Sequence, residues 1–307
     1  YNEYENMKAT IDDLGCAHTM IEIPRGDFFQ RLKKLIQYHD SPISTISYYV
    51  HAFLSEAISK GGYRVAISGT GADELVTGYY DHFNLQLYEM RNHPEYETYL
   101  NAWRTHISSI VRNPYLKNPA LYFTDPTFRR HIYLNNDEFA SYLTVPFQEE
   151  FIEEQFCDSL LRNRMLNELF HEVVPPILHE DDLNSMYWSV ENRSPYLDSR
   201  LFEFSYSIPA EYLIHDGYAK HILRQAVRGI LNDKVRLDRQ KKGFNASIQS
   251  LLDLKSKDNQ KLILSEGKIF DYVSRDKIAE ILKRDTFPNS FSKFLFNFLN
   301  AKEFMER

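Results

Sequence analysis

The stretch "AISGTGADELVTGYY", residues 66–80, decides how this chain is read. It closes the short apolar run "YRVAIS" with three glycines, an Asp-Glu pair and two tyrosines. An apolar run of strand length that ends in glycines reads as a buried strand delivering a turn, with Asp73 at the start of the next helix. Two readings of residues 68–74 stand side by side. In one, the backbone amides of Gly69, Thr70 and Gly71 line a phosphate and Asp73 holds Mg2+. In the other, Asp73 caps a helix behind a glycine-rich turn. The lysine of a P-loop and the spacing of a GxGxxG fingerprint are both missing.

Working outward, the segments around this stretch alternate between helix and strand. Residues 3–14 carry Tyr4, Met7, Ile11 and Leu14 at helical spacing, with Gly15 as the stop. "HTMIEIP", 18–24, alternates like a short strand, and Asp27 then reads as the N-cap of a helix. "ISYYVHAFLSEAISKGG" is a further helix, ending at Gly61-Gly62 before the strand in "YRVAIS". Such alternation predicts a parallel α/β sheet, with ligands bound beyond the carboxyl ends of its strands. The quoted stretch lies at such an end.

Four regions follow from this reading. Residues 1–83 form the C-terminal part of a nucleotide-binding α/β core, and 84–160 a helical, aromatic-rich insertion interrupted by "NPYLKNPALYFTDPTF". Residues 161–250 hold the remainder of the core, with a helix that stops at Pro175-Pro176 and a helical pattern over 201–231. Residues 251–307 are a charged helical tail. The opening Tyr1-Asn2-Glu3 reads as part of an established helix, so the chain is expected to be a fragment or a separately numbered portion.

Composition narrows the function classes. The 307 residues are 43% hydrophobic and 14% aromatic, enough for a sizeable core. Net charge is −7, and the 36 Lys and Arg form no basic run, so nucleic acid is not an expected partner. The two cysteines, Cys16 and Cys157, lie far apart in the sequence without metal-ligand spacing, which fits a cytoplasmic setting. No apolar stretch approaches the ~20 residues of a membrane span, and a membrane is not an expected partner. The eleven histidines show no HxH or HExxH spacing, and no GxSxG marks a serine hydrolase.

Three other clusters carry candidate chemistry. In "SVENRSPYLDSRLFEF", 189–204, Glu191 offers a base or an amine-orienting group, or else forms a surface salt-bridge cluster with Arg193; Asp198 caps the next helix. "RQKKGF", 239–244, is a basic loop that is either solvated or functional. Glu180-Asp181-Asp182 offers a cation site, but behind two prolines it reads rather as a solvated turn.

Taken in order, these segments resemble the synthetase (C-terminal) domain of the glutamine-hydrolysing asparagine synthetase family, an ATP-pyrophosphatase group related to β-lactam synthetases. The family's SG-x-G-(A or S)-DE loop is matched by Ser68-Gly69-Thr70-Gly71-Ala72-Asp73-Glu74, with Gly78-Tyr79 behind. Its E-x-R-x-P-(F or Y)-LD segment is matched from Glu191 to Asp198, its K-x-x-LR helix by Lys220 to Arg224, and its R-x-K loop by Arg239-Gln240-Lys241. The resemblance implies a helix-rich, Rossmann-like adenine nucleotide alpha hydrolase (ATP pyrophosphatase) fold, with only part of the sheet in this chain. It also implies ATP and Mg2+ as cofactors and a small-molecule carboxylate that is adenylated, then attacked by glutamine-derived ammonia.

By the same resemblance Ser68, Gly69, Thr70, Gly71 and Arg239 bind ATP or pyrophosphate, and Asp73 ligates Mg2+. Thr70, Arg193 and Lys220 bind substrate. Lys241 stabilises developing negative charge and Glu191 orients or deprotonates the amine. Two departures qualify this. The family's SGG-x-DSS pyrophosphate loop and the Cys nucleophile of its glutaminase domain are not among these residues, so a glutaminase domain in another portion or chain is the expected partner. Thr70 stands where asparagine synthetases proper place Glu, which argues for a carboxylate other than free aspartate, such as a uronic acid. A non-catalytic binding or scaffold module of the same fold and a true asparagine synthetase remain the alternatives. The oligomeric state, a homodimer included, is left open by the sequence.

Overall fold

The computed structural model describes residues 4–133, 135–147, 150–241, 243 and 245–307. Two strands form among these residues, β1 (Val65–Ile67) and β2 (Glu191–Arg193), and they pair in parallel with Val65 opposite Glu191, Ala66 opposite Asn192 and Ile67 opposite Arg193. The ladder runs one bond further at each end, where Glu191 N–H donates to the Arg64 carbonyl and Ser68 N–H to the Arg193 carbonyl, both at 2.8 Å.

Each strand is fed by a helix. The Ile46–Lys60 helix is capped by the Thr45 side chain and stopped at Gly61-Gly62, where Gly62 takes φ +82°. The Val174–Met186 helix leads to β2. These two helices are joined by polar bonds as well as packing: Ser44 N–H donates to Glu180 (2.6 Å), the Asn184 amide to the Tyr48 carbonyl (3.1 Å), and the Ser59 hydroxyl to the Trp188 carbonyl (2.8 Å). The helix-to-strand step therefore occurs twice, and both strands deliver their next loops at the same end.

Three apolar clusters surround this unit. The first joins Phe28, Leu32, Ile36 and Tyr49 to Ile248, Leu295 and Phe296, so the charged tail expected from the sequence also closes the core around the first helices. Each fully buried Leu, Ile or Phe there contributes roughly 1.5–3 kcal/mol. The second is built by residues 83–122 with Leu161, Met165 and Ile208–214, and the third, smaller one by Leu75, Val76, Leu169 and Val174 beneath the 68–80 loop. Among the described residues no helix is long and apolar enough to cross a membrane.

Several local expectations change. Residues 18–24 form no strand: Ile21 and Ile23 pack against the first cluster, and with no neighbouring strand a ladder has nothing to bond. Asp27 precedes the Phe28–His39 helix, but its side chain makes no cap bond. The helical run from Leu160 to Glu172 does end just ahead of Pro175-Pro176, but the prolines also lie in the first turn of the Val174–Met186 helix, where residues need no N–H donor. Glu180-Asp181-Asp182 consequently lies in that helix and is not a solvated turn. Glu180 is buried against Ser44 and His39, and Asp181 pairs with His51. Tyr4–Leu14 and Asn289–Met305 are helical as the pattern requires, while residue 3 lies outside the described residues.

Candidate functional site

The loop that leaves β1 is shaped by glycine. Gly71 holds φ +97°, and a Cβ there would sit 2.4 Å from Leu197 Cδ2, so only glycine fits. At Gly69 an added Cβ would meet nothing within 4 Å, leaving the backbone open to an approaching group. The Ser68 hydroxyl lies 2.9 Å from the Ser194 hydroxyl and 3.2 Å from Thr70 Oγ1, tying this loop to the one that leaves β2.

Gly71 is also the cap of the short Ala72–Val76 helix, which frees Asp73 from that duty. Lys220 Nζ reaches Asp73 Oδ1 at 2.6 Å, and Lys241 Nζ reaches Oδ2 at 2.6 Å. Burial opposes ionisation of Asp73, but the two lysines prevail and hold its carboxyl below the ordinary carboxylate value. One carboxylate flanked by two ammoniums leaves surplus positive charge at the mouth of the loop. Three segments distant in sequence meet here.

The neighbouring backbone is strained to achieve this. Thr77 is fully buried at φ +69° and Lys220 sits at φ +57°, both unfavourable for non-glycine residues. They meet at one bond, from Lys220 N–H to Thr77 Oγ1 (3.2 Å), and Thr77 in turn donates to the Leu213 carbonyl. Left-handed conformations of this kind cost of order 1–3 kcal/mol each and persist where the surroundings fix them. Here they turn the Lys220 side chain onto Asp73. Gly78 completes the turn, since a Cβ on it would collide with Asp73 Oδ1.

Tyr79 supports the other lysine. Its ring lies under Lys241 Nζ at 4.5 Å, a cation–π contact, and its hydroxyl donates to the buried carboxylate of Glu74. Burial raises the Glu74 carboxyl, against the opposing pull of the Tyr79 bond, and burial with the nearby charge of Glu74 and Asp73 keeps Tyr79 a phenol. Glu74 is thus committed to Tyr79 and leaves Asp73 as the carboxylate offered to the loop.

The remaining expected residues are placed as follows. Glu191 and Arg193 are exposed on β2 and pair with each other at 2.9 Å; that bond lowers the Glu191 carboxyl, which suits accepting N–H bonds better than abstracting a proton. Arg239 stacks on Tyr218 at 3.8 Å and bonds Asp216 at 2.9 Å, which anchors the loop two residues ahead of Lys241. Asp198 caps the Ser199–Ser207 helix through the Arg200 and Leu201 amides, as expected. Lys242 and Phe244 of the "RQKKGF" segment lie outside the described residues.

Sequence reasoning gave no role to Tyr79 or Glu74, although the Gly-Tyr pair and the Asp-Glu pair were both visible. It also missed a cleft of about 740 Å³ whose wall includes Tyr79 and Lys241 together with Arg112 and Lys293. No sequence signal links those last two positions.

Against known proteins, the chain matches the family described as asparagine synthase over residues 1–305. It is 22% identical over 300 residues to asparagine synthetase [glutamine-hydrolyzing] 1 of Bacillus subtilis (strain 168), a match covering 92% of this chain and 46% of that protein. A second B. subtilis protein, asparagine synthetase [glutamine-hydrolyzing] 3, is 44% identical over 59 residues, 19% of this chain and 10% of the relative. The chain thus spans about half the length of the first relative. With the family matched along nearly all of its length, this chain belongs to the asparagine synthase family.

Proposed function

We propose that the protein is an ATP-dependent amide-forming ligase. A substrate carboxylate attacks the α-phosphorus of ATP, pyrophosphate leaves, and ammonia then displaces AMP from the acyl-adenylate to give an amide, shedding one proton. The observation that carries this reading is the convergence of Lys220 and Lys241 on Asp73, at the glycine-shaped end of a parallel strand.

The residues present fit a polyphosphate and a magnesium ion. The open backbone at Gly69 and the surplus ammonium charge suit phosphate oxygens. Asp73, kept ionised, is the single carboxylate that Mg2+ takes alongside substrate phosphates. When bound, Mg2+ neutralises charge on the phosphate oxygens. Lys241, steadied by Tyr79, places a fixed positive charge where negative charge grows, and Lys220 does so from the other side. Ser68, Thr70 and Gly71 line the nucleotide, and Arg239 supports the Lys241 loop beside it. Glu191 accepts an N–H of the incoming amine, held in place by Arg193.

Both relatives carry "glutamine-hydrolyzing" in their names, which supports glutamine as the nitrogen source through a glutaminase domain outside these residues. Thr70 brings neither charge nor phenol to its slot, which favours an acid other than free aspartate, a uronic acid being one class.

The test is carboxylate-dependent exchange of labelled pyrophosphate into ATP by the intact protein, with ammonia and glutamine left out so that the adenylate can only revert. Lys241→Ala is expected to reduce exchange roughly 10²–10³-fold with the unfolding midpoint unchanged. Undiminished exchange would remove Lys241, and with it this reading.

A further inference from the structure

The cleft beside Lys241 has about 740 Å³ of space, within the range of roughly 300–1,000 Å³ that accommodates drug-sized ligands. A four-carbon amino acid would leave most of it empty. Its cations and several of its amides come from three separate parts of the chain: Arg112 and Asn113 from the aromatic insertion, Lys241 from the basic loop, and Asn289 and Lys293 from the last helix. Asn289 and Lys293 stand four residues apart and so share one face of that helix.

Its chemistry is one-sided. Arg112, Lys241 and Lys293 line it, and no Asp or Glu is among its described lining residues. An amino-acid acceptor would bring an ammonium group that needs a carboxylate partner, and the described residues of the cleft offer none. Amides and hydroxyls make up most of the remaining wall, among them Asn113, Asn289 and Tyr79, and these suit a ligand rich in hydroxyl groups. The cations also lie on parts of the wall that are far apart in sequence. Lys241 already serves the reacting end through Asp73, whereas Arg112 and Lys293 have no role there.

We propose that this cleft binds the acceptor, and that the acceptor is a hydroxyl-rich, non-amino carboxylic acid carrying a second anionic group, which Arg112 and Lys293 hold while the reacting carboxylate faces Lys241. This rests on the ligase reading for the identity of the reacting end. The second-anion site itself is independent of catalysis. Selection of the second anion then resides in the insertion and the last helix, away from the 68–74 loop.

The experiment measures equilibrium binding by calorimetry in the absence of ATP, with three probes: glucuronic acid 1-phosphate, glucuronic acid and aspartate. The first carries a carboxylate and a phosphate on one hydroxyl-bearing ring. The intact protein is expected to bind it at least about tenfold more tightly than glucuronic acid, the scale of a charge-assisted bond, and to bind aspartate weakest. K293E, at an exposed position, is expected to abolish the preference between the two sugar acids with the melting temperature unchanged, and Arg112→Glu to do the same. Equal affinity of the wild type for both sugar acids, no binding of either, or a preference that survives both variants would overturn the proposal. Phosphate-dependent binding through Lys293 without any acid-dependent pyrophosphate exchange would sink the ligase reading and leave the site standing. Exchange with aspartate alone would do the reverse.

Discussion

Asp73 and Asp81 are near neighbours in the sequence, yet they anchor charge clusters of opposite character. Asp73 is shared by two lysines that retain 28–29% side-chain exposure, beside an open glycine loop. Asp81 is sealed in. His131 bonds it at 3.2 Å and Arg164 lies at 3.4 Å, while the same guanidinium reaches Glu168 at 3.1 Å, Glu153 at 2.9 Å and Glu172 at 2.6 Å. His82 closes the network, with Nε2 at 2.8 Å from Glu168 and Nδ1 accepting from Gly78 N–H. Asp81, His82 and Glu168 bring ligand atoms within 4.8 Å of one another, a set of types that could hold a metal, but Arg164 already supplies the cation. The difference teaches that residue type does not distinguish a site from a strut. A site keeps unspent charge facing open space, and a strut spends all of it internally.

The sharpest break of that contrast is Arg164→Met. It strands several buried carboxylates, and removing one partner of a buried pair typically costs about 3–5 kcal/mol. Urea unfolding should show a loss of that size, while pyrophosphate exchange per folded molecule stays near wild type. Lost exchange with unchanged stability would make the network part of the site.

Acid titration separates the clusters more gently. Against burial, Lys220 and Lys241 hold Asp73 below its ordinary value, and His131, His82 and Arg164 hold Asp81 below its own. A carboxyl depressed in the folded state contributes stability above its unfolded value, near 3.8 for Asp, and loses it as pH falls through the folded value. Stability should therefore hold down to about pH 4 and decline below it. Asp81→Asn should flatten that decline more than Asp73→Asn, because the Asp73 pairs are partly exposed and screened. Urea midpoints measured across this range would show equal flattening if the two clusters were energetically alike.

What the sequence made legible follows the same division. The glycines at 69, 71 and 78 announce a tight backbone, and the family resemblance groups Asp73, Lys220 and Lys241, whose side chains do meet. The strain that aims Lys220 was not legible, because threonine and lysine carry no signal for a left-handed backbone. Nor was the buried network, whose members are scattered from Asp81 to Glu172 without a shared motif. Residues 18–24 misled for a physical reason: a chain laid over a helical core alternates its apolar residues just as a strand does. The Lys293 position was hidden because it is an isolated lysine in a largely aromatic, half-buried helix, with no motif around it.

The smallest expected effect tests the unspent charge directly. Asp73→Asn removes the carboxylate that Lys220 and Lys241 share. Because all three groups are partly exposed, the stability change should stay within about 1 kcal/mol. With metal chelated, the freed ammonium pair should bind inorganic pyrophosphate somewhat more tightly, roughly fivefold for about 1 kcal/mol. With Mg2+ present the order should invert, since Asp73 is the carboxylate available to the ion. Calorimetry of pyrophosphate binding in chelator and in magnesium gives both halves. Weaker binding in both conditions would mean that the lysines depend on Asp73 for their placement, and that this cluster, like the one around Asp81, is a strut.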